Sequence, residues 1–346
     1  MKRLYLFFLL IITSVSIQAQ SLSQQLDSLL NAPMLNTSEV GITVFDLTTS
    51  KQLYQYQDEH LYRPASTEKI VTSVTALATL GMDYTMKTHL QYTGNIKNDT
   101  LKGNLYLVGG FDPEFMDEDL DSLVNVIAGS GIRYITDTLA ADVSMTDSVY
   151  WGSGWSWDDV PASFQPYMSP LMLNRGCVDV TVIPTVKDSL PDVVCVPVSD
   201  YYQVDNDGVS HNSQAGKLKI TRNWLDHGNL IHVSGNVTKE TTKTLSINDS
   251  KNFFFHTFVH RLKEKGIETQ NVTFSDCPES DSLRAVIPLF TLERPIGQVL
   301  KQMMKESDNL CAESMFYHLA MNYAQKKRVS DDDGSDAIYH FIKDSL

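Results

Sequence analysis

The sequence predicts an α/β fold of the α+β type, with helical segments towards both ends and a long β-rich section between them. Three observations predict it. An apolar run with helical spacing follows Pro64 and ends near Gly81. Short stretches that alternate apolar and polar residues fill most of residues 87–285, and helical spacing returns after Arg294. We therefore expect residues 20–86 and 286–346 to form one domain, interrupted by one or two β-rich subdomains within residues 87–285.

Residues 1–19 are typical of a secretory signal peptide. Lys2 and Arg3 precede an apolar run that reaches Ile12, and small and polar residues continue to Ala19. The apolar run is too short to span a bilayer. We expect cleavage near Ala19 and an exported, soluble protein; the alternative is a retained anchor.

The chain is strongly acidic. Without residues 1–19 it carries 26 Lys and Arg against 42 Asp and Glu, a net charge of about −16. A phosphate backbone would be repelled by this charge, so nucleic acid is not an expected partner. Cationic or neutral ligands fit the composition better.

The cysteines and histidines give weak signals. In an exported chain Cys177 and Cys195 could form a disulfide or remain free, and Cys311 is expected to pack in a helix as a free thiol. His256 and His260 have helical spacing but lack the intervening glutamate of a common zinc motif. Residues 331–336 lack the ligand pattern of a calcium loop and are expected to be a solvated turn.

The first part of the chain leads to a helix with two chemically distinctive residues. Residues 39–56 alternate like a β-hairpin, and the helix after Pro64 has apolar residues around much of its circumference, which predicts that it is buried. Ser66 and Lys69 are three residues apart, so they share one helix face. A lysine amine there could take the proton of the serine hydroxyl and make it a nucleophile. The alternative is that Ser66 only caps the helix.

The middle section, residues 87–285, is predicted to form short strands with two helical interruptions. Strands are predicted at 101–108, 178–183, 193–198, 217–221 and 230–237, and helices at 120–131 and 253–266. Residues 109–113 and 206–208 carry turn signals. The aromatic segment 151–157 is compatible with stacking on a sugar or with a loop packed on the core.

The last part is predicted to be two helices joined by a polar turn. Pro295 can begin the first helix, and the second covers residues 310–324. Ser307, Asp308 and Asn309 lie between them, where such residues are common in any turn. Together, a Ser-x-x-Lys helix start and a Ser-Asp-Asn turn form two of the three elements of class A β-lactamases and penicillin-binding proteins.

Three motifs resemble the D-Ala-D-Ala carboxypeptidases of the DacB type, the S13 serine peptidases. They are Pro-Ala-Ser-Thr-Glu-Lys at 64–69, Leu-Val-Gly-Gly-Phe-Asp-Pro at 107–113 and Glu-Ser-Asp-Asn-Leu-Cys-Ala-Glu at 306–313. The resemblance covers most of the chain and includes the long insertion at residues 87–285. Phe111 stands where the family commonly has glycine, and Cys311 where it commonly has a larger side chain.

The resemblance implies a penicillin-recognising, transpeptidase-like domain in which helices pack on an antiparallel sheet. It implies that Ser66 attacks the bond between two terminal D-alanines of a peptidoglycan stem peptide, while Lys69 takes its proton. Ser307 would relay a proton to the leaving amine, and Asn309 would orient the substrate and help to hold Lys69. The backbone N–H of Ser66 would stabilise the oxyanion.

The same resemblance implies the remaining properties. β-Lactams would acylate Ser66, no metal or organic cofactor would be needed, and the protein would be periplasmic. It is also compatible with peripheral association with the membrane or the cell wall. Either carboxypeptidase or endopeptidase activity would use these residues.

The third family motif, Lys-Thr-Gly, does not occur in the printed sequence. We therefore expect a fragment, truncated before the strand that carries this motif. Two alternatives remain open at this point: a β-lactamase of the same fold, and a non-catalytic cell-wall binding protein.

Overall fold

The computed structural model describes residues 21–280 and 285–345. The predicted signal peptide at 1–19 lies outside these residues. Two compact units divide the chain after Ala65. Every residue of the candidate site lies in the second unit.

The first unit contains the predicted hairpin. Helix α1 (Leu22–Leu30) precedes strands β1 (Ile42–Asp46) and β2 (Lys51–Tyr56), which pair in antiparallel fashion. Tyr54 on β2 donates a hydrogen bond of 2.6 Å from its hydroxyl to Asp27 Oδ1 on α1. This bond ties the helix to the hairpin.

The second unit has six α-helices among its described residues, including those predicted in the middle section and after Pro295. They are α2 (Glu68–Thr79), α3 (Asp117–Gly129), α4 (Ser250–Glu264), α5 (Ile296–Lys305), α6 (Asn309–Ala324) and α7 (Asp331–Ser345). The solvated turn predicted at 331–336 is wrong, because these residues form the first turns of α7. Their carboxylates suit a helix N-terminus, where the helix dipole is positive.

Strands fill the middle of the second unit, as predicted. In chain order they are β3 (Thr85–Thr93), β4 (Asn95–Lys97), β5 (Thr100–Lys102), β6 (Leu105–Val108), β7 (Tyr134–Asp142), β8 (Cys177–Ile183), β9 (Asp192–Val196), β10 (Gln203–Ser210), β11 (Lys219–Arg222), β12 (Leu230–Val237), β13 (Thr241–Ser246), β14 (Glu268–Phe274) and β15 (Val286–Pro295). The largest sheet has the order β15-β3-β6-β7-β5-β4, with β14 also paired to β7. Two three-stranded sheets have the orders β10-β12-β11 and β13-β8-β9.

The strand that enters the β-rich section and the one that leaves it are neighbours. β3 and β15 pair antiparallel from Thr85 opposite Pro295 to Thr93 opposite Val286. The chain therefore returns to its starting point before α5 begins. The domain boundaries at 86 and 286 stay a prediction.

Helix α2 is not buried around its circumference, so that prediction is wrong. Ile70 is 52% exposed and Val74 50% exposed, whereas Thr72 and Thr75 face inwards. The helix packs on α5, α6 and α7 through small and polar side chains, which allow the helix axes to approach closely. Sequence spacing predicts an apolar face but not which face meets its neighbours.

The turn predicted at 206–208 is also wrong. These residues lie inside β10, which pairs in parallel with β12 and places Asn206 opposite Val233. The Asn206 side chain accepts from Gly208 N at 3.1 Å and donates to Pro191 O at 2.9 Å. Parallel pairing and these side-chain bonds outweigh the local turn preference.

All four cysteines are free thiols. The disulfide considered between Cys177 and Cys195 does not form, because β8 and β9 pair with Val180 opposite Cys195. Cys311 packs in α6 as predicted. Over the ranges 21–280 and 285–345, no helix is long and apolar enough to cross a membrane.

Candidate active site

Ser66 and Lys69 lie together at the start of α2. Ser66 is in a 3₁₀ turn, Ala65–Thr67, directly before the helix. Lys69 is buried, and its Nζ donates to Ser66 Oγ at 3.2 Å. Thr67, not Ser66, occupies the N-cap position. The hydroxyl of Ser66 is thus engaged by Lys69, and the capping interpretation does not hold.

Asn309 brings the second motif to the first. Lys69 Nζ donates to Asn309 Oδ1 at 2.7 Å, and Asn309 Nδ2 donates to Phe164 O at 3.2 Å. The cation on one side and the carbonyl on the other fix the orientation of the amide. One N–H of Nδ2 remains available for a substrate.

Ser307 adjoins this group without being hydrogen-bonded to it. Its φ of 56° is in the left-handed region, which a non-glycine residue seldom adopts. Ser307, Asn309 and Phe164 line a cavity of about 380 Å³. Over the residues that the structure describes, the Ser307 side chain forms no hydrogen bond. The structure therefore joins Ser66, Lys69 and Asn309 by hydrogen bonds and places Ser307 on the wall of the cavity that Asn309 also lines.

Arg175 is a site residue that sequence reasoning missed. Its guanidinium donates to Asp308 Oδ2 at 2.8 Å and forms a very short ion pair with Glu114 Oε1. Asp308 also caps α6 by accepting from Cys311 N at 2.9 Å. Arg175 itself is left-handed, with φ 60°. No local sequence pattern marks an arginine in this role, because its partners lie 61 and 133 residues away.

The two glycines after β6 allow the backbone to pack closely beneath the site. A Cβ on Gly110 would lie 1.9 Å from Lys87 O. His318 on α6 contacts Gly110 O through Nε2 at 3.0 Å and the Tyr84 hydroxyl through Nδ1 at 2.8 Å. Burial lowers the pKa of His318 to about 4, so the imidazole is neutral, with its proton on Nε2. This buried link holds α6 against the motif at 107–113.

Asp112 in the same motif is part of a buried ion pair. Arg294, at the end of β15, donates to Asp112 Oδ2 at 3.0 Å and to Asp119 Oδ2 at 2.6 Å. Burial raises the pKa of Asp112 to about 6, although the positive charge of Arg294 opposes the shift. The motif at 107–113 therefore supports the site and does not line it.

Glu313 follows Asn309 by one helical turn on α6. Burial raises its pKa to about 7, and the positive charge of Lys69 opposes this shift. Glu313 thus influences the Lys69 amine by its charge, and Asn309 influences the same amine by a hydrogen bond. The position four residues after Asn309 could have indicated this residue from the sequence.

The comparisons with known proteins identify the family of the chain. The model of the D-Ala-D-Ala carboxypeptidase 3 (S13) family matches residues 22–344. The chain belongs to this family. The resemblance stated from the three motifs is confirmed.

Two curated relatives extend the S13 assignment. The D-alanyl-D-alanine carboxypeptidase of Actinomadura sp. (strain R39) is 26% identical over 303 residues, which cover 85% of this chain and 56% of the relative. D-alanyl-D-alanine carboxypeptidase DacB of Haemophilus influenzae is 26% identical over 299 residues, 84% of this chain and 60% of the relative. The chain thus spans less than two thirds of the length of these two relatives.

A solved structure confirms the fold class. Penicillin binding protein 4 (dacB) from Haemophilus influenzae matches with a TM-score of 0.73 and 23% identity, covering 88% of this chain and 67% of that one. The same protein complexed with a β-lactam matches with a TM-score of 0.68, 22% identity and coverages of 88% and 66%. The predicted α+β, penicillin-recognising fold is therefore confirmed.

The S13 site contains groups suited to acyl transfer. Lys69 can accept the Ser66 proton only after losing one of its own, because only the free amine has a lone pair; its two remaining N–H groups would still allow it to donate to Asn309. The exposed Ser66 hydroxyl can then reach a carbonyl carbon. In the described parts of the chain, no group of His, Cys, Asp and Glu side chains could hold a metal ion.

Proposed function

We propose that this protein is an exported, periplasmic serine-type D-alanyl-D-alanine carboxypeptidase or endopeptidase that acts on peptidoglycan stem peptides through an acyl-enzyme on Ser66. Family membership supports the reaction class. The pattern of residues 1–19 supports export. The single observation that carries the proposal is the contact of 3.2 Å between Lys69 Nζ and Ser66 Oγ.

In the acylation step, Ser66 Oγ forms a bond to the carbonyl carbon of the penultimate D-alanine. Its proton moves to Lys69 Nζ, whose orientation is held by Asn309 at 2.7 Å. The C–N bond to the terminal D-alanine then breaks, and the leaving nitrogen receives a proton through the Ser307 hydroxyl. The products are an ester on Ser66 and free D-alanine.

In the deacylation step, water gives a proton to Lys69 as its oxygen attacks the ester carbonyl, and the Ser66 oxygen leaves with the proton that Lys69 returns, which releases the shortened peptide as its carboxylic acid. The backbone N–H of Ser66 donates to the oxyanion in both steps. A β-lactam would acylate Ser66 in the same way, but its leaving nitrogen stays tethered to the acyl group. Slow hydrolysis of that ester would make β-lactams inhibitors.

Release of D-alanine from an acylated tripeptide that ends in D-Ala-D-Ala tests the proposal. The full-length protein should release D-alanine from this peptide and none from the analogue that ends in L-Ala-L-Ala. Ser66→Ala should abolish release. Ser73→Ala is a matched control and should retain activity. Ser73 lies on the same helix, and within the described residues its hydroxyl bonds only to Ile70 O, at 2.9 Å.

Three outcomes would reject the proposal. D-alanine release by Ser66→Ala would exclude the nucleophile. Rapid turnover of penicillin without peptide hydrolysis would identify a β-lactamase instead, and the absence of both reactions would identify a binding protein.

A further inference from the structure

The aromatic segment at 151–157 forms an open groove outside the candidate active site. It meets the loop between β11 and β12 around a cavity of about 440 Å³. The side chains of the wall that matter here are Tyr150, Trp151, Trp157, Trp224, Leu225 and His227.

One side of this aromatic groove is fixed by packing. Trp151 packs on Tyr167 with ring centroids 5.2 Å apart and on Trp155 at 5.4 Å. Tyr167 is buried. These rings form a rigid base, which needs no reordering when a ligand binds.

The other side is open to solvent. Trp157 is 67% exposed, and its closest ring partner is Trp224, with centroids 5.4 Å apart and planes at 40°. Leu225 beside it is 72% exposed. A large ring that is braced by another tryptophan but left uncovered gains little from the core, and contiguous exposed apolar surface of this kind marks interaction sites.

The chemistry of the groove favours an uncharged sugar. The face of an aromatic ring carries partial negative charge, which attracts the C–H face of a pyranose. The imidazole of His227, which lines the groove, can bond sugar hydroxyls. The chain's formal net charge of −14 disfavours anionic ligands such as phosphates or nucleic acids.

The groove and the candidate active site share one short segment. Trp157 and Val160 line the groove, and Phe164 lines the active-site cavity and binds Asn309. The seven residue steps from Trp157 to Phe164 can span at most about 25 Å. A polymer bound in the groove therefore lies within reach of the cavity.

We propose that this aromatic groove binds an uncharged pyranose oligosaccharide, the glycan strand that carries the peptide substrate. The choice of glycan rests on the proposed function, whereas the groove itself rests on the exposed rings. Its role would be to raise the local concentration of stem peptides near Ser66. Activity on short free peptides would not depend on it.

Isothermal titration calorimetry with the tetramer of N-acetylglucosamine tests this proposal. The full-length protein should show saturable binding, and the double variant Trp157→Ala and Trp224→Ala should bind roughly tenfold more weakly. Trp157→Phe should retain more affinity than Trp157→Ala, because it keeps a flat ring. Tyr134→Ala is the control, since Tyr134 is an exposed ring on β7 that does not line the groove.

Acylation by penicillin is measured in parallel. The double variant should be acylated at the wild-type rate, because neither tryptophan touches Ser66, Lys69 or Asn309. Absence of saturable binding by the wild type, or equal affinity in the double variant, would overturn the groove proposal. Sugar binding without acylation would reject the proposed function and leave the groove in place.

Discussion

Lys69 and Asn309 are 240 residues apart in the sequence, yet Lys69 Nζ donates to Asn309 Oδ1 at 2.7 Å. This bond joins the start of α2 to the start of α6. It also directs the amine that contacts Ser66 Oγ. The site therefore depends on how accurately these two helices are held against each other.

Replacing Asn309 tests this connection. Asn309→Ala removes the acceptor that orients Lys69 and the donor to Phe164 O. We expect the rate constant for acylation by penicillin to fall by about 10²–10³-fold, as for loss of one preorganised polar group in an active site. Stopped-flow measurement with a fluorescent penicillin gives this rate. An unchanged rate would show that the amide has no part in the reaction.

Arg175 should act by positioning. Arg175→Met removes the bridge from Glu114 to Asp308 but leaves Asp308 as the cap of α6. We expect acylation to slow by roughly ten- to hundredfold, because the turn that carries Ser307 and Asn309 loses its support. The loss should appear in the acylation rate constant more than in the affinity for penicillin.

A double-mutant cycle separates this effect from a general loss of stability. Glu114→Gln should slow acylation on its own, and the combination with Arg175→Met should add little to either single variant. Fully additive effects would mean that the two residues act independently. The thermal unfolding of each variant is measured in parallel to detect a general loss of stability.

Phe111 occupies a backbone conformation that suits glycine. Its φ is 47°, and its ring is 1% exposed and packs on Tyr317. Phe111→Ala should lower the free energy of unfolding by about 3–5 kcal/mol. Phe111→Gly should be more stable than Phe111→Ala by about 1 kcal/mol, because glycine relieves the left-handed strain.

Phe115 provides the matched control for this comparison. It is 2% exposed, and its φ is not positive. There the order should reverse, with Phe115→Gly less stable than Phe115→Ala. Urea titrations of the four variants measure these differences, and the same order at both positions would contradict the strain argument.

Glu313 should make stability depend on pH. Burial raises its pKa from 4.5 to about 7 in the folded chain. Between these values the unfolded chain loses the proton that the folded chain keeps, so the free energy of unfolding falls as pH rises. The resulting loss in the free energy of unfolding reaches about 3 kcal/mol near pH 7 and stays constant at higher pH.

Urea titrations between pH 4.5 and 8 measure this slope. Glu313→Gln should flatten it, whereas Glu264→Gln, an exposed residue at the end of α4, should leave it unchanged. An equal slope in wild type and Glu313→Gln would show that another group is responsible.

The parts of the site that the sequence predicts are those set by local spacing. Ser66 and Lys69 follow from one helical turn, and Ser307 and Asn309 from a polar turn between helices. Arg175 could not be predicted, because its role depends on a left-handed backbone and two distant carboxylates. The same limit explains two errors elsewhere. Tertiary packing decides which face of α2 is exposed, and pairing with the parallel strand β12 keeps Asn206 in a strand instead of a turn.

The most direct test of the central claim is to map the penicillin adduct. The full-length protein is incubated with penicillin G, digested and analysed by mass spectrometry. We predict a single adduct, on the peptide that contains Ser66, and none in Ser66→Ala. An adduct on another residue, or an equal amount in Ser66→Ala, would contradict the assignment of Ser66 as the nucleophile.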